Sequence, residues 1–471
     1  MKRENINSLI KSAPAFLFDA DAEINSALSR LDKKIIVLDD DPTGVQTVNN
    51  ISVYTSWDRQ SIDDGFSEPG MFFILTNTRG VSADDARRIN ADIAMRVDES
   101  SQKHKKDYIL ISRSDSTLRG HYPLETEVLK ETLEKSGHIF FDGEIICPFF
   151  IEGGRYTHSN IHYVLYGEEL VPAGDTEFAK DKSFGYINSD LSFWVEEKTE
   201  GRYKHKEVVC ISLETIRQKG PDAVAKELTQ VSGFGKIIVN ALCYNDIKLF
   251  LTGYIKAVEG GKNFIFRSAA AIPKILGSVE DRSLLNKEDL TTNSASGGLT
   301  VIGSHVAKTT KQLESLIKTT DTAPIEFNQH LVLKNDLFLS ECKRVCLAAD
   351  DLLASGKDVV IYTKRERLDI NSGNPEDELK LSRKISDAVT GIVKELKTRP
   401  AYIMAKGGIT ASDIGTSGLS VKRAIVAGQI IPGVPVWKLG DESKYPGMAY
   451  IIFPGNVGDE DALANIVKRL R

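Results

Sequence analysis

The 471-residue sequence is poor in several things, and each shortage narrows its reading. No uninterrupted apolar run approaches the roughly 20 residues that span a bilayer. The start, Met1-Lys2-Arg3-Glu4, leads into mixed polar and apolar residues rather than a signal-peptide core. Cysteine is scarce: Cys147, Cys210, Cys243, Cys342 and Cys346 are odd in number, scattered and without a Cys-x-x-Cys. They read as reduced thiols, and with the missing spans they point to a cytoplasmic protein with no membrane partner. Trp57, Trp194 and Trp437 do not cluster, and the formal net charge is −6, so a nucleic-acid partner is not expected. No Gly-x-x-x-x-Gly-Lys-Ser/Thr occurs and no Gly-x-Gly-x-x-Gly opens a helix. P-loop and ordinary dinucleotide sites are thereby set aside.

What is present is ordinary globular material, 41% hydrophobic and 27% charged, in a length that suits two domains. After an amphipathic helical extension over residues 1–33, short apolar runs begin. Lys34 to Leu38, Ile51 to Tyr54, Phe72 to Leu75, Tyr108 to Ile111 and Ile145 to Cys147 read as strands. Ser82 caps a helix whose apolar stripe is Ala86, Ile89, Ile93 and Val97. Val208 to Ile211 and Ile237 to Val239 extend the pattern, and a polar connector over 278–298 interrupts it. A second unit over 299–471 follows, with strands at Leu299 to Ile302, Val359 to Tyr362, Tyr402 to Ala405 and Tyr450 to Phe453. Its helices are Val306 to Ile317, the Ile385/Val389/Ile392/Leu396 stripe and the Leu463–Leu470 stretch. The predicted class is α/β: two domains, each with a mainly parallel sheet flanked by helices.

The chemistry sits where strands end. Asp39-Asp40-Asp41-Pro42-Thr43-Gly44 follows a wholly apolar strand, and ligands bind at the carboxyl ends of parallel strands. Three adjacent acids need cations or donors to stay ionised; one could serve as a general base. An Asp-Pro turn with solvated acids is the plainer alternative. Ser112-Arg113-Ser114-Asp115-Ser116-Thr117-Leu118-Arg119-Gly120 follows another strand, and Arg79 follows a third. Arginine forks match carboxylates, and hydroxyls with Asp suit a polyhydroxy chain. In the second half, Gly303-Ser304, Lys406-Gly407-Gly408-Ile409-Thr410 and Pro454-Gly455-Asn456 are strand-to-helix turns where backbone could approach a phosphate. His158 and His162, with Glu152 near, have metal spacing only if they share a helix. Ordinary polar or packing roles are the simpler reading.

In this order the loops resemble the four-carbon acid sugar kinase family. Asp40-Asp41-Pro42-Thr43-Gly44 matches its opening motif, and Asp115 to Gly120 matches its Asp-Ser-Thr-Leu-Arg-Gly motif without a gap. Cys147-Pro148 through Gly154-Arg155 and, loosely, Asp175 to Ala179 resemble further segments. The resemblance implies an acid-sugar-binding domain over 34–277 and a nucleotide-binding domain over 299–471. It implies ATP with Mg2+ and a threonate-, erythronate- or 3-oxo-tetronate-like acceptor; whether the chain forms a homodimer stays open. Asp41 and Asp40 would be catalytic. Asp40, Asp41, Arg79, Arg113, Ser114, Asp115, Ser116, Thr117 and Arg119 would bind substrate, the arginines taking its carboxylate. Ser304, Gly407, Gly408, Ile409, Thr410 and Gly455 would bind ATP. Ile409 stands where family members commonly carry glutamate, and Asp39 is an extra acid. Two alternatives stay open. One is a non-catalytic acid-sugar sensor. The other is a haloacid-dehalogenase-like phosphatase with Asp39 as nucleophile, for which Gly458-Asp459-Glu460-Asp461 comes too late.

Overall fold

The structure is a computed structural model and describes residues 3–290, 295–366, 368, 375–455 and 457–471, with side chains of 375–379 left aside. The connector residues Thr291 to Ser294 and the turn residue Asn456 lie outside the described residues. The chain divides into two compact units. One comprises Met1–Val48 and Ser56–Glu280, the other Asn49–Thr55 and Asp281–Arg471.

In the first unit the buried runs form one parallel sheet. Its order is Val209–Ile211, Gly235–Val239, Gly143–Cys147, Phe264–Ser268, Tyr108–Arg113, Lys34–Asp39 and Met71–Leu75. Five of them, Gly143–Cys147, Phe264–Ser268, Tyr108–Arg113, Lys34–Asp39 and Met71–Leu75, are buried along their whole length, as a sheet covered on both faces requires. The helix Ala83–His104 shows why covering helices form where they do. Ser82 accepts the Asp85 amide, Asp84 and Asp85 sit in the first turn, and Lys103 and His104 in the last. Ala86, Ile93 and Val97 face inward. The strand Lys34–Asp39 sends the chain on toward Met71–Leu75, whereas its neighbour Tyr108–Arg113 sends it the other way, toward Gly143–Cys147. Adjacent strands that depart in opposite directions open a crevice at their carboxyl ends.

Two features of this unit lay outside the sequence pattern. A four-stranded antiparallel sheet joins Glu4–Asn5, Glu169–Pro172, Ile161–Tyr166 and Arg155–His158. The N-terminal extension is therefore not helical throughout: Glu4–Asn5 is a strand before the helices Ile6–Ser12 and Ala20–Leu28. His158 and His162 fall on facing strands, not on a helix. His162 is buried, and its ring nitrogens meet Thr157 Oγ1 at 3.0 Å and the Ser116 carbonyl at 2.8 Å.

In the second unit the order is Ser52–Tyr54, Arg423–Ile431, Val434–Leu439, Ala449–Phe453, Ile403–Lys406, Leu299–Ile302, Val359–Thr363 and Ala323–Phe327. The last five strands are parallel, and the first three join antiparallel. Helices Ala307–Thr319 and Ala462–Leu470 bury Leu313, Leu316, Leu463, Ile466, Val467 and Leu470 with Ile302, Ile451 and Phe453 in one core. Here too neighbouring strands part. Leu299–Ile302 leads toward Ala323–Phe327 and Ile403–Lys406 toward Ala449–Phe453. The crevice between them opens beside Gly303 and Gly407.

Candidate functional site

The first site begins with register. Asp39 and Arg113 end adjacent strands and are paired across the ladder. Arg113 donates to Asp39 Oδ1 at 3.2 Å, and the Asp41 amide reaches the same oxygen at 3.2 Å. Asp39 is 1% exposed and Arg113 5%, so this is a sealed pair behind the loop. Among the described residues Asp39 Oδ2 has no hydrogen-bond partner, and a Cβ on Gly44 would lie 1.8 Å from it. Gly44 is thus the residue that lets the loop fold down on the acid. Burial pushes the Asp39 carboxyl up to about 7, against the pull of Arg113. A phosphoryl group has no approach to a carboxylate so enclosed, which speaks against Asp39 as a nucleophile.

The working face is built around Arg79. The short turn Thr78–Gly80, entered through left-handed Asn77 (φ 53°), aims its guanidinium at three acids. Arg79 grips Asp40 with two N–H groups, at 3.2 and 2.5 Å, and comes within 3.5 Å of Asp41 and 3.9 Å of Asp115. Asp41 caps the turn Pro42–Val45, accepting the Thr43 amide at 2.8 Å and the Thr43 hydroxyl at 2.5 Å on one oxygen. Burial would raise Asp41, but Arg79 and the Thr43 donors outweigh it and hold the carboxyl below its ordinary range. Burial raises Asp40, with Arg79 opposing. Asp115 also resists burial. Arg79 and Arg119 keep it well below the usual carboxylate range, with Arg119 Nε at 2.7 Å and the Thr117 hydroxyl bonded to it.

Of the residues expected to bind substrate, the structure brings Asp40, Asp41, Arg79, Asp115, Thr117 and Arg119 together. Arg113 does not join them; it is spent on Asp39. Ser114 and Ser116 are buried, the Ser114 amide on the Ser268 carbonyl and the Ser116 carbonyl under His162. Three neighbours were missed. Arg267 ends its own apolar strand, the same signal that marked Asp39, and donates to Glu125 at 2.6 Å. Glu125 in turn accepts the Thr78 hydroxyl at 2.5 Å, bracing the Arg79 turn. Phe178 lies under the guanidinium of Arg119 at 5.2 Å.

The second site is of another kind. A cavity of about 420 Å³ is lined by Gly303, Ser304, Gly407, Gly408, Ile409, Thr410 and Gly455, with Ile385, Val389 and Thr390 behind them. Every residue expected to hold the nucleotide therefore borders one cavity. Gly407 takes φ 111°, and a Cβ on Gly303 would meet Thr410 Oγ1 at 2.5 Å. Ile409 is 68% exposed, and a Cβ on Gly455 would find open space. Lys406, missed as a site residue, is 0% exposed. It donates to the Pro454 carbonyl at 3.0 Å and lies 3.9 Å from the Phe453 ring. Burial, with Lys308 adding to it, lowers its ammonium to about 7. Among the described residues no group of three acid, histidine or cysteine side chains is arranged to hold a metal. No helix among them is long and apolar enough to cross a membrane.

Comparison with known proteins agrees with this division. Residues 35–276 match the family model of a sugar-binding N-terminal domain, and 299–463 that of a nucleotide-binding C-terminal domain. No curated protein matches the chain. Among solved structures, Haemophilus influenzae protein HI1011 superposes with a TM-score of 0.62 at 16% identity, over 92% of this chain and 99% of that one. A Salmonella typhimurium LT2 protein, provisionally called a tRNA synthase, gives 0.65 at 15% identity, over 93% and 98%. Likeness at these identities speaks for the fold alone. The two domain matches, in this order and over most of the chain, place the protein in the four-carbon acid sugar kinase family.

Proposed function

We propose that the protein is an ATP-dependent kinase that phosphorylates a hydroxyl of a small acid sugar of the threonate, erythronate or 3-oxo-tetronate class. One observation carries this reading. Asp40, Asp41, Arg79 and Asp115 converge at the crevice of a unit matched to a sugar-binding domain, in a chain that also has a nucleotide-binding domain. The acids accept from sugar hydroxyls, and the arginine fixes the acids. Asp41 is the general base: it stays ionised, and its Oδ2 is the freer oxygen because Oδ1 takes both Thr43 donors. Asp40 has both oxygens engaged by Arg79, so its part is to hold that guanidinium.

Ser304, Gly407, Gly408, Ile409, Thr410 and Gly455 would hold ATP, and the open space beside Gly455 suits a backbone approach to phosphate. The nucleotide supplies the phosphoryl group when bound, and Mg2+ would travel with its phosphates. Such transfer asks the protein mainly for positioning and charge stabilisation, with little covalent chemistry of its own. All five cysteines are free thiols, which supports a cytoplasmic setting.

The test is a coupled ADP-release assay of the full chain over four-carbon sugar acids, with mass detection of the phosphorylated product. An acid-dependent rate is expected. If the acids bind in calorimetry yet none raises ADP release, the protein is a sensor and the kinase reading falls.

A further inference from the structure

Around the first site Arg79, Arg113, Arg119 and Arg267 have each found an acid, respectively Asp40, Asp39, Asp115 and Glu125. Arg155 has not. Among the described residues it forms no ion pair, and its Nε is buried without an acceptor. Its guanidinium lies 5.5 Å from the centre of the Phe178 ring, and that of Arg119 lies 5.2 Å from the same ring. Asp115 and Glu177 act on Arg155 only from a distance. Asp115 is bonded to Arg119 and Thr117, and Glu177 accepts the Tyr166 hydroxyl at 2.7 Å.

A largely buried cation with no counter-charge is costly, and a ligand anion is what would relieve it. A guanidinium fork matches a carboxylate with two parallel hydrogen bonds. An aromatic face beneath the fork fixes its plane at little cost in freedom. Arg79, by contrast, has its fork committed to Asp40.

We propose that Arg155, seated on the Phe178 ring that Arg119 also contacts, is the subsite for the substrate's carboxylate, and that it makes the pocket select an acid sugar over a neutral polyol. This rests on the acid-sugar reading of the pocket. It moves the carboxylate to Arg155 from Arg79 and the Arg113–Arg119 loop, where the sequence placed it.

The test is binding calorimetry on the full chain without nucleotide, using threonate and its neutral counterpart threitol. Wild type, Arg155→Gln, Arg155→Lys and Phe178→Leu are compared, with circular dichroism as the check on folding. The preference for threonate over threitol is expected to fall about 10- to 100-fold in Arg155→Gln, the loss of a charge-assisted pair. Arg155→Lys should recover part of it, because the charge returns without the fork. Three outcomes overturn the proposal: an unchanged preference, an equal loss of both ligands, or wild type that does not prefer threonate. Threonate binding that depends on Arg155 without turnover would sink the kinase reading and leave the subsite standing.

Discussion

The two crevices occupy equivalent places in their sheets and solve opposite problems. At the first, side chains do the work: Asp40, Asp41 and Asp115 are fixed by Arg79 and Arg119, and Arg79 ties together acids from two other loops. At the second, the lining is mostly glycine backbone, hydroxyls and aliphatic side chains, with His305 and Gln329 among them, and the buried Lys406 donates to the Pro454 carbonyl. A small polyhydroxy acid offers little surface and must be recognised group by group. A nucleotide offers a large body and phosphates that backbone can approach. The first site therefore depends on which side chains it carries, and the second on backbone that a ligand can approach.

The sharpest way to break this comparison is Asp41→Asn. Loss of a positioned base should lower turnover about 10²–10⁴-fold. Nucleotide affinity, measured by calorimetry, should stay within a few-fold. A comparable fall in nucleotide affinity would mean that the two sites do not divide the labour as described.

Next comes pH, where the two regions should move in opposite senses. Asp39 holds its proton in the folded state up to about 7, above its ordinary 3.8, so the stability it contributes falls as pH rises from about 4 to 7. Lys406 gives up its proton near 7 instead of 10.5, so stability rises with pH between those values. At about 1.4 kcal/mol per pK unit, each arm is worth on the order of 5 kcal/mol at most. Urea unfolding across pH should show Asp39→Asn flattening the acid arm and Lys406→Met the alkaline arm. One variant flattening both arms, or neither, would dissolve the contrast.

Glycine supplies the third test. Gly44→Ala drives a methyl into Asp39 and should cost about 1–3 kcal/mol in urea unfolding, with loss of activity. Gly455→Ala finds open space and should leave stability within about 0.5 kcal/mol while weakening nucleotide binding. Equal destabilisation by both would erase the distinction. The smallest effect is expected from Ile409→Glu. At 68% exposed it should alter stability by under about 0.5 kcal/mol, its consequence confined to nucleotide affinity in the presence of Mg2+.

Much of this was legible because parallel strands buried on both faces are plain apolar runs, and a run that stops in Asp or Arg marks a strand end. The antiparallel strands Arg155–His158 and Ile161–Tyr166 were not. Their Thr, His and Tyr residues alternate weakly with apolar ones and read as loop. The Arg423–Ile431 hairpin strand did carry a period of two, with Ala424, Val426, Gly428 and Ile430 facing inward, and could have been found. Pairing was invisible for a different reason. Nothing local in the sequence says that Arg113 belongs to Asp39, that Arg267 belongs to Glu125, or that Gly303 is small because of Thr410. Such partners lie far apart in the chain, and only the sheet register brings them together.

The strand Ser52–Tyr54 pairs with Arg423–Ile425 in the second unit, although the chain on both sides of it belongs to the first. The two units are thus not beads on a string. A cleavage at the connector would leave the C-terminal fragment without the strand that pairs with Arg423–Ile425. Exchange of either unit with a relative by a single crossover would strand the same segment. The second unit is therefore complete only when the intact chain supplies this segment to it.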